Sequence, residues 1–127
     1  VPGGQSTVAQ FYADAGADYV FKQTQESGSL DYNAEKVSRE GKHAAFWLIK
    51  YGANTDFSYR TLSQESPVYS QFNAFKHKRI WQCNVSYSPY FEETPFHPER
   101  ILKDFIYIFH PQVLPHYKPT YFKPLSD

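Results

Sequence analysis

A continuous apolar run at residues 44–50, AAFWLIK, constrains the fold of this chain more than any other feature. The run has the length of a strand, and strands that are apolar throughout are typical of parallel sheets covered by helices on both faces. A second strand candidate, RIWQCN, follows at residues 79–84. The sequence therefore predicts a pair of parallel strands in a small sheet that is flanked by helices.

Helical signals alternate with these strands. Ser6 can cap a helix that ends at Gly16, and apolar residues recur with helical spacing from Pro98 to Phe109. Shorter helices are predicted at residues 34–40, 59–64 and 68–75, a further strand at 17–21, and an extended surface tail at 112–127. This alternation predicts an α/β fold, namely a three-layer, Rossmann-like lobe with a small, mostly parallel sheet flanked by helices. We expect residues 1–127 to form a single domain.

Length and charge exclude several classes of protein. The chain has 127 residues and carries 13 basic and 13 acidic side chains, so it lacks the basic excess of most nucleic-acid-binding proteins. No apolar stretch approaches the ~18 residues that a membrane-spanning helix needs. The single cysteine, Cys83, excludes an internal disulfide and a cysteine-based zinc site. We therefore expect neither a nucleic-acid partner nor a membrane span.

Known catalytic and cofactor motifs are missing from the sequence. There is no Gly-x-Ser-x-Gly elbow, no phosphate-binding loop and no dinucleotide fingerprint, and the five histidines do not show the His-Glu-x-x-His spacing. The sequence thus predicts no catalytic residue, no cofactor and no metal site of its own. It leaves open that a single His or Tyr side chain ligates a haem or a ferric chelate.

Aromatic side chains in loops indicate a candidate binding site. The chain contains 11 Tyr and 11 Phe residues, and several lie in segments where no helix or strand pattern requires them. Ligands of open α/β sheets bind beyond the carboxyl ends of the strands, and the loops at 50–54 and 84–91 follow the two predicted strands. Together with the glycine turn before the first helix, they give these predicted ligand-binding residues: Gly4, Gln5, Ser6, Lys50, Tyr51, Asn54, Asn84, Tyr87, Tyr90 and Phe91. The alternative is that the tyrosines only cover the core.

Four segments, taken in order, resemble a known family. They are VPGGQS with DAGADY at 1–6 and 14–19, AEKV with AFWL at 34–37 and 45–48, FNAFKHKRIW at 72–81, and HPERILKDF with IFHP at 97–105 and 108–111. This pattern is similar to the C-terminal lobe of the periplasmic substrate-binding proteins of ABC importers for ferric siderophores, haem and cobalamin. The resemblance covers nearly the whole chain.

The resemblance implies a function and a location. In this family two α/β lobes joined by one long helix hold a metal-chelate ligand between them, so the chain would be the second lobe, cut from a longer protein that also contains the N-terminal lobe. A glutamate on each lobe docks on arginines of the ABC permease in the inner membrane, and Glu35 is at the matching position. The family also implies a periplasmic protein that is exported or lipid-anchored as a lipoprotein. Its cleft loops match Gly4–Ser6 and the two strand-end loops.

The identity of the ligand does not follow from these residues. Tryptophans or arginines often line the cleft in this family, but none of the matching loop positions is an arginine, and Trp47 and Trp81 lie inside predicted strands. Two other functions fit the sequence. One is a small α/β hydrolase-like enzyme fragment that uses Ser6, which requires a histidine within hydrogen-bonding reach. The other is an aromatic-rich carbohydrate or protein interaction domain, which requires tyrosines on an exposed face.

Overall fold

The structure, a computed structural model, describes residues 1–23, 25 and 34–127, which contain six helices and three strands. The helices are α1 (Thr7–Asp14), α2 (Ala34–Gly41), α3 (Tyr59–Glu65), α4 (Asn73–Lys76), α5 (Tyr90–Glu93) and α6 (Pro98–Phe109), with 3-10 turns at Pro67–Gln71 and Pro111–Val113. The strands are β1 (Trp47–Tyr51), β2 (Ile80–Asn84) and β3 (Lys123–Pro124). None of the helices in these described stretches has the length and apolar character needed to cross a membrane.

The packing of the backbone divides the chain into two compact units. The first unit comprises Val1–Tyr32 and Glu92–Thr120, and the second comprises Asn33–Phe91 and Tyr121–Asp127. Each unit is therefore assembled from two stretches that are separated in the sequence.

Helix α1 of the first unit begins and ends at the predicted residues. The Ala9 N–H donates to the Ser6 hydroxyl at 3.1 Å, which caps the helix, and Gly16 follows its end with a φ of +84°. Glycine is favoured there because other residues adopt a positive φ only with strain. Tyr12 of α1 packs on Phe105 of α6 with 4.9 Å between ring centroids. The α1 and α6 predictions are thus confirmed.

The strand predicted at residues 17–21 is wrong. These residues form an irregular segment that enters a turn, without strand pairing. Their apolar alternation has another cause: the Tyr19 ring lies 5.2 Å from Tyr12 and 5.9 Å from Phe21, centroid to centroid. The aromatic residues of this segment therefore form an aromatic cluster with α1 instead of one face of a strand.

The sheet lies in the second unit and has the strand order β1-β2-β3. β1 and β2 are parallel, with Trp47 opposite Ile80 and Tyr51 opposite Asn84, whereas β3 pairs antiparallel with β2. The connection from β1 to β2 contains α3 and α4, as a parallel crossover requires. One face of β2 packs on a buried cluster of side chains, made up of Tyr59, Leu62, Ala74, Ile80 and Leu125. The predicted α/β class, with a small sheet flanked by helices, is confirmed.

The C-terminal tail differs from its prediction. Its prolines suggested a chain running over the surface, but Tyr121, Phe122 and Leu125 are buried and β3 adds a strand to the sheet. Two smaller differences concern helices. Residues 68–75 form a 3-10 turn followed by α4 instead of one helix, and the single turn α5 lies inside a predicted loop.

Candidate functional site

The carboxyl ends of β1 and β2 lie side by side in the second unit. Tyr51 and Asn84, the last residues of the two strands, are partners in the parallel register. The loop at 52–57 and the loop at 85–91 therefore leave the sheet at the same edge. This is the arrangement that the sequence predicted for these two loops, and it brings together most of the candidate ligand-binding residues.

Lys50 places a cation over two aromatic rings at this edge. Its Nζ lies 4.4 Å from the centroid of Tyr90 and 5.1 Å from that of Phe91. Loss of water around the ammonium lowers the pKa of Lys50, and the neighbouring Cys83 opposes this effect. Among the described side chains no carboxylate lies within ion-pair distance of Lys50. The amine is thus a cation that lies over two rings and has no anionic partner among the side chains that the structure describes.

Tyr90 and Phe91 differ in exposure although they are neighbours. Tyr90 is buried against Tyr121 and Phe122, with ring centroids 6.0 and 6.5 Å away, whereas Phe91 is 59% exposed. Burial, with a smaller contribution from Cys83, raises the pKa of Tyr90 to about 12, so its phenol stays protonated at neutral pH. The Lys50 ammonium therefore lies over the buried ring of Tyr90, whereas the Phe91 ring is exposed to solvent.

Asn84 is committed to the loop at 52–57. Its Oδ1 accepts the N–H groups of Ala53 and Ser86, both at 3.1 Å. Its Nδ2 donates to the Ala53 carbonyl at 2.9 Å and to Asp56 Oδ1 at 3.2 Å. These four bonds exhaust the hydrogen-bonding capacity of the amide. Asn84, which the sequence suggested as a ligand contact, therefore supports the loop from beneath.

Gln82 also supports the loop at 52–57, a role that was not predicted from the sequence. Its Oε1 accepts the Phe57 N–H at 3.1 Å and the Tyr51 hydroxyl, and its Nε2 donates to the Phe57 carbonyl at 3.1 Å. Gln82 is 1% exposed. Two polar residues at alternate positions of an apolar strand were the available signal, because buried amides require partners.

Two other predicted residues meet at the rim of the loop. The Tyr87 hydroxyl donates to the Asn54 carbonyl at 2.7 Å, and the Tyr87 side chain remains 70% exposed. Tyr51, the last residue of β1, is partly buried, and its hydroxyl also accepts the Phe57 N–H at 2.8 Å. Tyr87 therefore offers an accessible ring, while Tyr51 contributes to the support of the loop.

An ion pair fastens the same loop to β3. Asp56 pairs with the Lys123 ammonium and accepts the Asn84 amide. The bond from Lys123, followed by that from Asn84, holds the pKa of Asp56 below its ordinary value of 3.8. The carboxylate is therefore favoured in the folded state.

The pH dependence of stability follows from this lowered pKa. Because the folded-state pKa of Asp56 lies below the unfolded one, the ion pair stabilises the fold above the unfolded pKa, and this stability is lost as the pH falls through the folded pKa. We expect at most about 1 kcal/mol, since water reaches the pair. Urea denaturation of the wild type and of Asp56→Asn, between about pH 6 and pH 3, should show a smaller pH dependence for the variant. Asp14→Asn, in the first unit, is the control, and equal slopes for wild type and Asp56→Asn would contradict the assignment.

The remaining predicted residues belong to other elements of the chain. Gly4, Gln5 and Ser6 belong to the first unit, where the Ser6 hydroxyl is buried, donates to the Gly3 carbonyl at 2.6 Å and accepts the Ala9 N–H. The hydroxyl proton of Ser6 thus goes to a backbone carbonyl in the geometry of a helix cap. Glu35 falls within α2, but its side chain lies outside the described residues.

Possible metal ligands are dispersed in the part of the chain that the structure describes. No three His, Cys, Asp or Glu side chains there lie close enough together to hold a metal ion. Cys83 is a buried free thiol on β2. The chemistry available at the strand edge is therefore that of a cation, exposed aromatic rings and a fixed loop.

Comparisons with known proteins give one distant relative. The chain is 26% identical over 125 residues to an uncharacterized lipoprotein of Methanocaldococcus jannaschii. The match covers 96% of this chain but 28% of the relative, so the chain spans little more than a quarter of the length of the curated protein that it matches. No family model and no solved structure matches the chain.

Proposed function

We propose that this chain is the ligand-binding lobe of an ABC-importer solute-binding protein that captures a metal chelate and delivers it to the membrane permease. The ligand would be a ferric siderophore, cobalamin or haem. The observation that carries this proposal is the Lys50 ammonium, which is held over the Tyr90 and Phe91 rings at the carboxyl edge of the parallel strands.

The chemistry of this edge suits a large ligand that has both a negative charge and an apolar surface. The ammonium of Lys50 has lost part of its hydration, so an anionic group that reaches it forms a stronger interaction than it would at a fully hydrated lysine. Phe91 supplies an exposed ring beside it, and Tyr87 exposes a second ring in the loop after β2. Aromatic rings add contact area at a small cost in conformational entropy. Metal chelates with anionic oxygens and broad organic surfaces combine the two properties that this edge can recognise.

The location of the protein forms part of the proposal. The matching relative is a lipoprotein and is several times longer than this chain. Both facts support a protein that is exported, anchored through a lipid and composed of more than this lobe. We further propose that the protein acts in the periplasm and holds the ligand between this lobe and an N-terminal one.

Ligand binding should depend on the charge of Lys50. We expect Lys50→Gln to weaken binding by about 10- to 100-fold, because hydrogen bonds to charged groups contribute about 1.5–3 kcal/mol. The full-length protein would be titrated with haem, cyanocobalamin, a ferric catecholate and a ferric hydroxamate while intrinsic fluorescence is recorded. Lys50→Arg should retain most of the affinity, and Lys42→Gln, at an exposed lysine of the same unit, should leave it unchanged. If none of the four compounds binds the wild type, or if Lys50→Gln binds normally, the proposal fails.

Glu35 is proposed to dock on the permease. We expect Glu35→Ala to reduce ligand uptake by cells at least about tenfold, as loss of a charged interface pair costs about 2 kcal/mol or more, while the purified variant binds ligand normally. Glu65→Ala, at an exposed carboxylate of α3, is the matched control. Normal uptake by the Glu35→Ala variant would contradict the proposed docking role of Glu35.

One observation favours a second candidate function. Tyr87 and Phe91 belong to the same strand-end loop and are 70% and 59% exposed, so their rings could stack on sugar rings. An interaction domain of this kind would bind neutral oligosaccharides. Adding such oligosaccharides to the same titration distinguishes the two candidates, because binding of a neutral sugar would not depend on the Lys50 charge.

A further inference from the structure

Two buried amides on β2 hold the loop at 52–57 in the way that a neighbouring strand would. Asn84 accepts the N–H of Ala53 at 3.1 Å and donates to its carbonyl at 2.9 Å. Gln82 does the same for Phe57, with both distances at 3.1 Å. Each amide thus replaces the two hydrogen bonds that a paired strand residue would supply. We call these two side chains the amide clamp.

Burial makes the amide clamp specific for one loop conformation. Gln82 is 1% and Asn84 5% exposed, and a buried amide without partners is costly. Four of their hydrogen bonds require Ala53 and Phe57 to be in the observed positions. Another arrangement of the loop loses these four bonds and keeps at most those to Ser86, Pro124 and Tyr51, so the clamp favours the observed backbone conformation.

We propose that Gln82 and Asn84 are positioning residues of the binding site: they fix the loop at 52–57, and with it Asn54, in advance of the ligand, and they do not contact the ligand themselves. A loop that is ordered beforehand costs less to immobilise when the ligand arrives. The part of this inference that concerns a ligand rests on the proposed function. The fixing of the loop itself does not.

Several titratable groups face the amide clamp. Asp56 of the loop accepts an amide hydrogen of Asn84 and pairs with Lys123 of β3. The Tyr51 hydroxyl of β1 shares Gln82 Oε1 with the Phe57 N–H, and Cys83 of β2 is within electrostatic range of Tyr51. A carboxylate introduced at position 84 would therefore have Asp56 as its nearest like charge.

The test replaces each amide by the carboxylate of equal size. In Asn84→Asp the Ala53 carbonyl loses its donor and the new carboxylate repels Asp56. The Ala53 N–H keeps an acceptor oxygen, so its protection reports the displacement of the loop by this repulsion, and we expect it to fall by about 10- to 100-fold at neutral pH in the 127-residue chain. Gln82→Glu should have the same effect on the Phe57 N–H. Gln64→Glu, on the exposed face of α3, is the matched control and should change neither amide.

Acidification distinguishes the hydrogen bond from packing. Asp and Asn fill nearly the same volume, so a role in packing alone would not respond to pH. Once protonated, the acid at position 84 regains a donor, and we expect the protection factor of Ala53 to recover as the pH falls from 7 to about 4.5, since burial beside Asp56 raises the pKa of the new carboxyl. Protection of the Leu62 N–H in α3 reports whether the variant is folded. If it is not, Asn84→Asp is combined with Asp56→Asn, which removes the repulsion.

The second measurement is the affinity of the full-length protein for haem, cyanocobalamin, a ferric catecholate and a ferric hydroxamate. For a compound that binds the wild type, we expect Asn84→Asp to lower its affinity at least tenfold at pH 7 and to regain it on acidification. Unchanged protection of Ala53 in Asn84→Asp at neutral pH overturns the inference, and so does reduced protection with unchanged affinity. If no compound binds the wild type, the proposed function fails, while the exchange measurement still decides whether the amides fix the loop.

Discussion

Replacing Ile80 by alanine is expected to lower the free energy of unfolding by about 2–5 kcal/mol, the usual range for removing a large aliphatic side chain from a core. Ile80 is fully buried at the start of β2, within the side-chain cluster that covers one face of the sheet. Its backbone N–H donates to the Tyr59 hydroxyl and its carbonyl accepts the Leu125 N–H, both at 3.2 Å. Neighbouring elements are therefore fixed around this residue and have little freedom to fill the cavity.

The two tryptophans report on this change. Trp47 and Trp81 lie in β1 and β2, so urea denaturation followed by tryptophan fluorescence monitors the second unit. Ile80→Val should cost only about 0.5–1.5 kcal/mol, since one methyl group is removed. A loss below about 1 kcal/mol for Ile80→Ala would mean that the core around β2 relaxes, contrary to the tight packing described above.

Replacing Asp104 by alanine is expected to lower the free energy of unfolding by about 2–4 kcal/mol, because two hydrogen bonds to a buried acceptor are lost. Asp104 is fully buried on α6. Its Oδ1 accepts the Tyr117 hydroxyl at 2.6 Å and the Thr120 N–H at 2.8 Å. These bonds tie the segment after α6 to the helix, and alanine removes the acceptor that the two donors share.

The matched variants separate the hydrogen bonds from other effects. Asp104→Asn keeps an oxygen acceptor and should cost about half as much as alanine, and Lys103→Ala, at an exposed neighbour on the same helix, should stay within about 0.5 kcal/mol of the wild type. Unfolding would be followed by far-ultraviolet circular dichroism. Equal stabilities of the alanine and asparagine variants would show that the acceptor oxygen is not what stabilises this segment.

Local patterns in the sequence were sufficient for the main elements of the fold. The apolar run before Lys50 predicted β1, and the spacing of apolar residues between Pro98 and Phe109 predicted α6. Gly16 ended α1 as predicted because the left-handed backbone there favours glycine. In each case neighbouring residues determine the structure, so a short stretch of sequence carries the information.

Features that depend on distant residues were not predictable in this way. β3 contains two residues, one of them a proline, and its pairing with Trp81 and Gln82 joins segments about forty residues apart. The aromatic alternation at Tyr19 and Phe21 resembled a strand because the pattern does not reveal whether a ring packs on a sheet or on another ring. For these elements tertiary contacts, and not local propensity, decide the structure.

The sequence predicted that the two strand-end loops meet at one edge of the sheet, but not how their residues interact. The parallel register brings the loops after β1 and β2 to one edge, as the two apolar strands implied. The sequence could not show that the Asn84 amide is fully used by Ala53, Ser86 and Asp56, because Ala53 has no side-chain signal for that contact. Nor could it show that Lys50 lies over Tyr90, a contact that depends on the turn at α5.

The interleaved order of the two units also governs how the chain can fold during synthesis. Residues 33–91 leave the ribosome before Phe122 and Leu125, which belong to the same unit, and the whole second stretch of the first unit is made in between. One edge of β2 therefore stays unpaired in the nascent chain until β3 has been synthesised. Such long-range closure slows folding and exposes an apolar strand edge to other chains.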